Sequence, residues 1–94
     1  MRIDDLIWLP HIVDKLQSRH DVTTDEVEEV IGSQPRIRRI ERGDVEGEHL
    51  YSAQGKTESG RYLSVFFIHK RNHLALIVSA RDMDHKERRS YERK

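Results

Sequence analysis

The sequence has no cysteine. That absence excludes a disulfide framework, an iron–sulfur cluster and any cysteine-ligated zinc site, and it fits a reducing compartment. The first residues, Met1-Arg2-Ile3-Asp4-Asp5, contain no apolar stretch of the kind that opens a secretory signal. No apolar run approaches the roughly 20 residues needed to cross a bilayer. A cytoplasmic protein with no membrane partner is expected. Internal repeats, low-complexity segments and linkers are also missing. At 94 residues the chain is expected to form one domain, 1–94, with one modest core. Apolar residues make up 35% and charged residues 36%, but the apolar ones cluster in periodic blocks, which points to a folded chain.

A net charge of zero hides an asymmetry. Residues 1–34 carry 3 basic and 8 acidic side chains, and residues 35–94 carry 14 and 9. A chain polarised this way can present a basic surface to nucleic acid without a basic isoelectric point.

Local patterns predict the elements in order. Pro10 opens a helix with Ile12, Val13 and Leu16 at helical spacing, and Arg19-His20-Asp21 ends it. Thr23 and Glu26 form a capping box, with Val22 and Val27 as its hydrophobic staple. Gly32 and Pro35 stop that second helix. The period then becomes strand-like. Residues 36–41, 48–54, 61–70 and 74–80 read as strands. Turn chemistry falls at Arg42-Gly43-Asp44, Glu46-Gly47, residues 55–60 and Lys70-Arg71-Asn72-His73. Asp84 and Glu87 have the spacing of a cap and its third residue for a last helix, 85–93. The fold class expected is α+β: two N-terminal helices on one face of a four-stranded antiparallel sheet, then a short C-terminal helix. The expected core is Trp8, Ile12, Leu16, Val27, Ile31, Leu63, Val65, Phe67, Leu76 and Val78.

Three features invite chemistry. Gly55-Lys56-Thr57 looks like the end of a phosphate-binding loop, but position 50 is Leu50 rather than glycine, and a strand follows instead of a helix. A hairpin turn is the better reading. His69 and His73 flank one turn, but no carboxylate completes a metal set, so no metal and no cofactor is expected. His20 is either a helix-end cation on the dipole or a general acid or base.

The C-terminal segment is the most informative. Arg81 leaves the last strand beside a helix carrying Glu87, Arg88, Arg89 and Tyr91. RNA cleavage by its own 2′-hydroxyl needs a base, cations for the phosphorane and an acid for the leaving oxygen. These residue types supply all three. They are equally the parts of a solvated helix, with Arg81 and Glu87 as a structural ion pair and Tyr91 as an anchor.

Three blocks resemble the BrnT toxins of bacterial type II toxin–antitoxin pairs. Ile7-Trp8, followed by Arg19-His20-Asp21-Val22, resembles that family's tryptophan and Lys-His-Gly-Val. Residues 50–63, from Leu50-Tyr51-Ser52-Ala53 through Gly60-Arg61-Tyr62-Leu63, resemble Ala-Leu-Gly-x-Thr-x-x-Gly-Arg-x-Leu. Ile77-Val78-Ser79-Ala80-Arg81 with Glu87-Arg88-Arg89-Ser90-Tyr91-Glu92 resembles Ile-Ile-Ser-Ala-Arg and Glu-Arg-x-x-Tyr-Glu. The resemblance implies a RelE-like fold, an RNA substrate, and metal-independent endoribonuclease activity that inhibits translation. It also implies a cognate antitoxin with a ribbon-helix-helix DNA-binding domain, joined in a higher-order complex. Arg81, Glu87, Arg88, Tyr91 and His20 inherit the candidate catalytic site. Asp21 stands where the family has glycine, Leu74 and Leu76 where many members have strand arginine, and His49 near another such arginine. Loss of those cations raises the alternative of a catalytically weak module of the same fold that binds RNA or antitoxin.

Overall fold

A computed structural model of the chain describes residues 1–43 and 48–93. The elements are β1 (Asp5–Ile7), α1 (Pro10–Lys15), a π-helical turn (Leu16–His20), α2 (Thr24–Gly32), β2 (Arg36–Glu41), β3 (Leu50–Lys56), β4 (Tyr62–Lys70), a 3-10 turn (Arg71–His73), β5 (Leu74–Asp82) and α3 (His85–Glu92). The turn chemistry expected at Asp44 and Glu46-Gly47 lies outside the described residues.

Pro10 occupies the first turn of α1, where its missing N–H leaves nothing unpaired. The helix widens at Leu16 and closes at Asp21, whose φ of 52° and ψ of 43° are left-handed. The Val22 N–H donates to the Leu16 carbonyl at 3.1 Å and completes the closure. One residue later Thr23 caps α2: its Oγ1 accepts the Glu26 N–H at 3.1 Å, and Glu26 Oε1 accepts the Thr23 N–H at 3.0 Å. The capping box expected from the sequence is therefore present.

The sheet runs in the order β1-β5-β4-β3-β2. Strands β2 to β5 form an antiparallel meander, and β1 lies parallel to β5 with Leu6 opposite Ala75. This overturns the expected RelE-like plan of two N-terminal helices leading into a four-stranded antiparallel sheet. The chain opens on a strand, and the sheet has five strands of mixed direction. Three residues, Asp5-Leu6-Ile7, are too few to show an alternating pattern. They are held because β5 would otherwise expose an edge, and the Asp4 N–H docks on the His73 carbonyl at 2.7 Å.

The core lies between α1–α2 and one face of the sheet. Ile12, Leu16, Val22, Val27 and Val30 meet Ala53, Leu63, Val65, Phe67, Ala75, Ile77 and Ala80 there. Trp8 and Ile31 pack at its margin, and Leu76 and Val78 are half-buried, contrary to expectation. The cause in β5 is a bulge: Phe66 pairs with Ser79 but Phe67 with Ile77, so Val78 is extra and the alternation slips by one.

Candidate functional site

The face of the sheet turned away from α1 and α2 is built from alternate residues of β2 to β5. One cross-strand row defines it. Arg36 pairs with Gln54, Gln54 with Ser64, and Ser64 with Arg81. Helix α3 touches both ends of this row and so lies along it. At the β5 end, Arg81 Nη1 and Nη2 donate to Glu87 Oε1 and Oε2 at 2.5 and 3.0 Å. At the β2 end, Arg36 Nη1 donates to the Ser90 carbonyl at 3.1 Å and meets its hydroxyl at 3.3 Å. Ser64 and Gln54, buried between, satisfy each other at 3.3 Å.

Sequence chemistry sets the pitch of α3. Asp84 Oδ1 accepts the Glu87 N–H at 2.7 Å, and Glu87 Oε1 accepts the Asp84 N–H at 2.9 Å, a second capping box. Glu87 thus caps the helix and pairs with Arg81 through one carboxylate. Burial alone would raise its pKa, but the Arg81 hydrogen bond and the Asp84 N–H outweigh burial and hold it below the usual carboxylate range. Glu87 is ionised at neutral pH.

Helix α3 divides this face into two flanks. Tyr62 and Phe66 sit two residues to either side of Ser64 on β4. The Arg88 guanidinium lies 4.0 Å from the Tyr62 ring centre on one flank, and the Arg81 guanidinium 5.2 Å from the Phe66 ring on the other. Rings four residues apart on a strand are ~13 Å apart. Tyr91 meets Tyr62 edge-on, with ring centres at 6.0 Å. The structure therefore brings Arg81, Glu87, Arg88 and Tyr91 to one junction of sheet and helix, with the two arginines over different rings.

His20 is placed elsewhere. It ends the π-helical turn, and its carbonyl accepts from Arg61 Nη2 at 2.9 Å. Among the described residues no hydrogen bond or ion pair joins it to Arg81, Glu87 or Arg88. Asp82 lies opposite core residue Leu63 at the end of β5, where it also borders the cleft beside Tyr62 and Arg88.

Two arrangements were not legible in the sequence. The first is Arg61, which donates to Asp82 at 2.7 and 3.1 Å, to Glu26 at 3.1 and 3.2 Å, and to the carbonyls of Asp21 and His20 at 2.6 and 2.9 Å. It ties the end of the π-helical turn, the start of α2 and the end of β5 together. The second is Lys56, whose Nζ lies 5.2 Å from the Tyr62 ring, on the same ring that Arg88 meets. The sequence marks Lys56 only as part of a hairpin.

Gly55 and Lys56 end β3 and lead into a turn, as a hairpin requires. The His69 and His73 rings are 6.2 Å apart, and His69 Nε2 lies 2.9 Å from the Arg2 carbonyl. Among the described residues no three metal-binding side chains gather. No helix among them is long and apolar enough to cross a membrane. No protein-family model matches the chain, and comparison with curated proteins gives no match. The likeness to BrnT toxins therefore rests on the three motif blocks.

Proposed function

We propose that this chain is the toxin of a type II toxin–antitoxin pair and cleaves RNA by attack of the 2′-hydroxyl, without a metal ion. The observation that carries this reading is the single sheet–helix junction that gathers Arg81, Glu87, Arg88 and Tyr91. Arg36, Arg38 and Lys56 on the same face extend it as a basic surface.

The chemistry follows from the partners. A phosphate arriving at Arg81 competes for the guanidinium donors that Glu87 now holds, and a bidentate phosphate contact is a strong one. Glu87, released from Arg81, becomes a base for the 2′-hydroxyl proton. Arg81 then faces the charge that grows on the phosphorane, where a fixed donor is worth most. Tyr91 supplies a proton to the departing oxygen. Arg88, over the other ring, answers a neighbouring phosphate. His20, whose carbonyl Arg61 holds, stays outside the reaction.

The partner is an antitoxin with a ribbon-helix-helix domain. Leu50, Ile68, Leu74 and Leu76 remain only half-buried on the sheet face that α3 leaves open, which gives an antitoxin segment an apolar surface to cover. Co-expression with the protein encoded beside this chain, followed by pull-down, tests the pairing; no complex would count against it.

One observation favours a second reading, a catalytically weak module that binds RNA or antitoxin. Arg81 is answered at both ends of its fork, and Glu87 is engaged by the Asp84 N–H as well. Incubating purified protein with RNA and a chelator separates the two: cleavage supports the nuclease, and binding without cleavage supports the module.

A further inference from the structure

We infer that Tyr62, with Lys56 and Arg88, forms a subsite that stacks one base of a single-stranded RNA and pairs with its phosphate. The inference rests on the RNA reading above and deepens it.

Two cations converge on this ring, Arg88 at 4.0 Å and Lys56 at 5.2 Å from its centre. Lys56 lies directly across from Tyr62 in the β3–β4 register, and the docking of α3 adds Arg88 to the same ring. Each gains from the ring quadrupole, but they also repel each other. Lys56 forms no ion pair among the described residues, and the Arg88 contact to Glu92 is long, 3.5 Å, and about half exposed on both sides. A single anion between Lys56 and Arg88 would relieve that repulsion.

The surroundings match the rest of a nucleotide. Tyr62 opens onto a cleft of about 340 Å³ lined by Gly60, Arg61, Tyr62, Asp82, Met83 and Arg88. The one carboxylate there, Asp82, is engaged by Arg61 at 2.7 Å, so it does not repel a phosphate as a free acid would. Met83 adds an apolar wall, and Gly60, at a φ of 92°, brings backbone without a side chain. An aromatic face flanked by cations is the chemistry that single-stranded nucleic-acid sites use, with stacking tolerant of base identity. Tyr62 is only half-buried, and its neighbour on the face, Ser64, is fully covered by the row under α3. A base stacking on Tyr62 would share or displace the Arg88 guanidinium, which lies 4.0 Å from the ring centre.

The test uses the full chain and a labelled, 2′-O-methylated single-stranded octamer, which cannot be cut. A series carries one abasic position at each site in turn, and binding is followed by fluorescence anisotropy. Wild type should lose roughly 5- to 100-fold in affinity at one abasic position. Tyr62→Leu should bind the intact octamer that much more weakly and show no further loss at that position. Tyr62→Trp should restore the discrimination. Lys56→Ala, at an exposed position, should lower the salt dependence by about one counterion. Circular dichroism checks that each variant is folded. Adenosine monophosphate is titrated in parallel; Tyr62-dependent binding of it without binding of the octamer would make the ligand a free nucleotide and overturn the inference. Wild type that binds RNA without a position-specific abasic loss, or Tyr62→Leu or Lys56→Ala behaving as wild type, overturns the subsite and leaves the RNA reading standing. Wild type that binds no RNA overturns both.

Discussion

Arg61 Nη1 donates to the Asp21 carbonyl at 2.6 Å, and Asp21 is the left-handed residue on which the first helix ends. The same guanidinium holds Glu26 at the start of α2 and Asp82 at the end of β5. One side chain therefore fixes the corner between both core-forming helices and the strand that delivers Arg81.

Arg61→Met should lower stability by about 2–3 kcal/mol, the range for charge-assisted hydrogen bonds that are largely shielded from water. The Arg61 and Glu26 side chains are 24% and 21% exposed, but Asp82 is 63% exposed, so most of the loss belongs to Glu26 and the two carbonyls. Urea unfolding of the variant and wild type measures it. A difference under 0.5 kcal/mol would show that this corner is held by apolar packing alone.

Acid should act through the same clamp. Arg61 hydrogen bonding, opposed by burial, lowers the pKa of Asp82; burial alone would raise Glu26, but the Thr23 N–H and Arg61 bring it down. A carboxylate whose folded pKa is depressed adds stability above its unfolded value, near 4, and loses it as pH falls through the folded value. The urea midpoint should stay level from pH 7 to 5 and fall below about 4. In Arg61→Met the fall should be shallower. Parallel curves would mean that these two groups do not set the acid limb.

Asp21 occupies left-handed backbone, φ 52°, a conformation that glycine adopts without steric cost. Aspartate tolerates this better than alanine and less well than glycine. Asp21→Gly should gain roughly 0.5–1 kcal/mol, even after losing the exposed 3.2 Å contact from Gln17. Asp21→Ala should lose stability. Thermal melts should rank glycine, aspartate, alanine, with the glycine variant about 2–6 °C above wild type. An alanine variant as stable as wild type would contradict the strain argument.

Local chemistry was legible wherever a few neighbouring residues decide the outcome. Thr23 with Glu26, and Asp84 with Glu87, form the two capping boxes their spacing predicts, because a cap is a contact across three residues. The meeting of Arg81 with Glu87 follows from a strand end six residues before a helix turn. Strand β1 was not legible, since its stability comes from the edge of β5 rather than from its own residues. The phase of β5 was lost at Val78 because nothing in an apolar run marks a bulge. Lys56, Tyr62 and Arg88 come from three elements, so only the register of β3 with β4 and the docking of α3 bring them together.

In the proposed reaction Arg81 stabilises the charge that develops at the scissile phosphate. The most direct test is the rate of cleavage of a defined RNA by purified wild type and Arg81→Ala, with chelator present and folding checked by circular dichroism. Wild type should leave 2′,3′-cyclic phosphate ends, and Arg81→Ala should be slower by ~100- to 1,000-fold. If wild type leaves the RNA intact, or a folded Arg81→Ala cuts as fast as wild type, the claim is wrong.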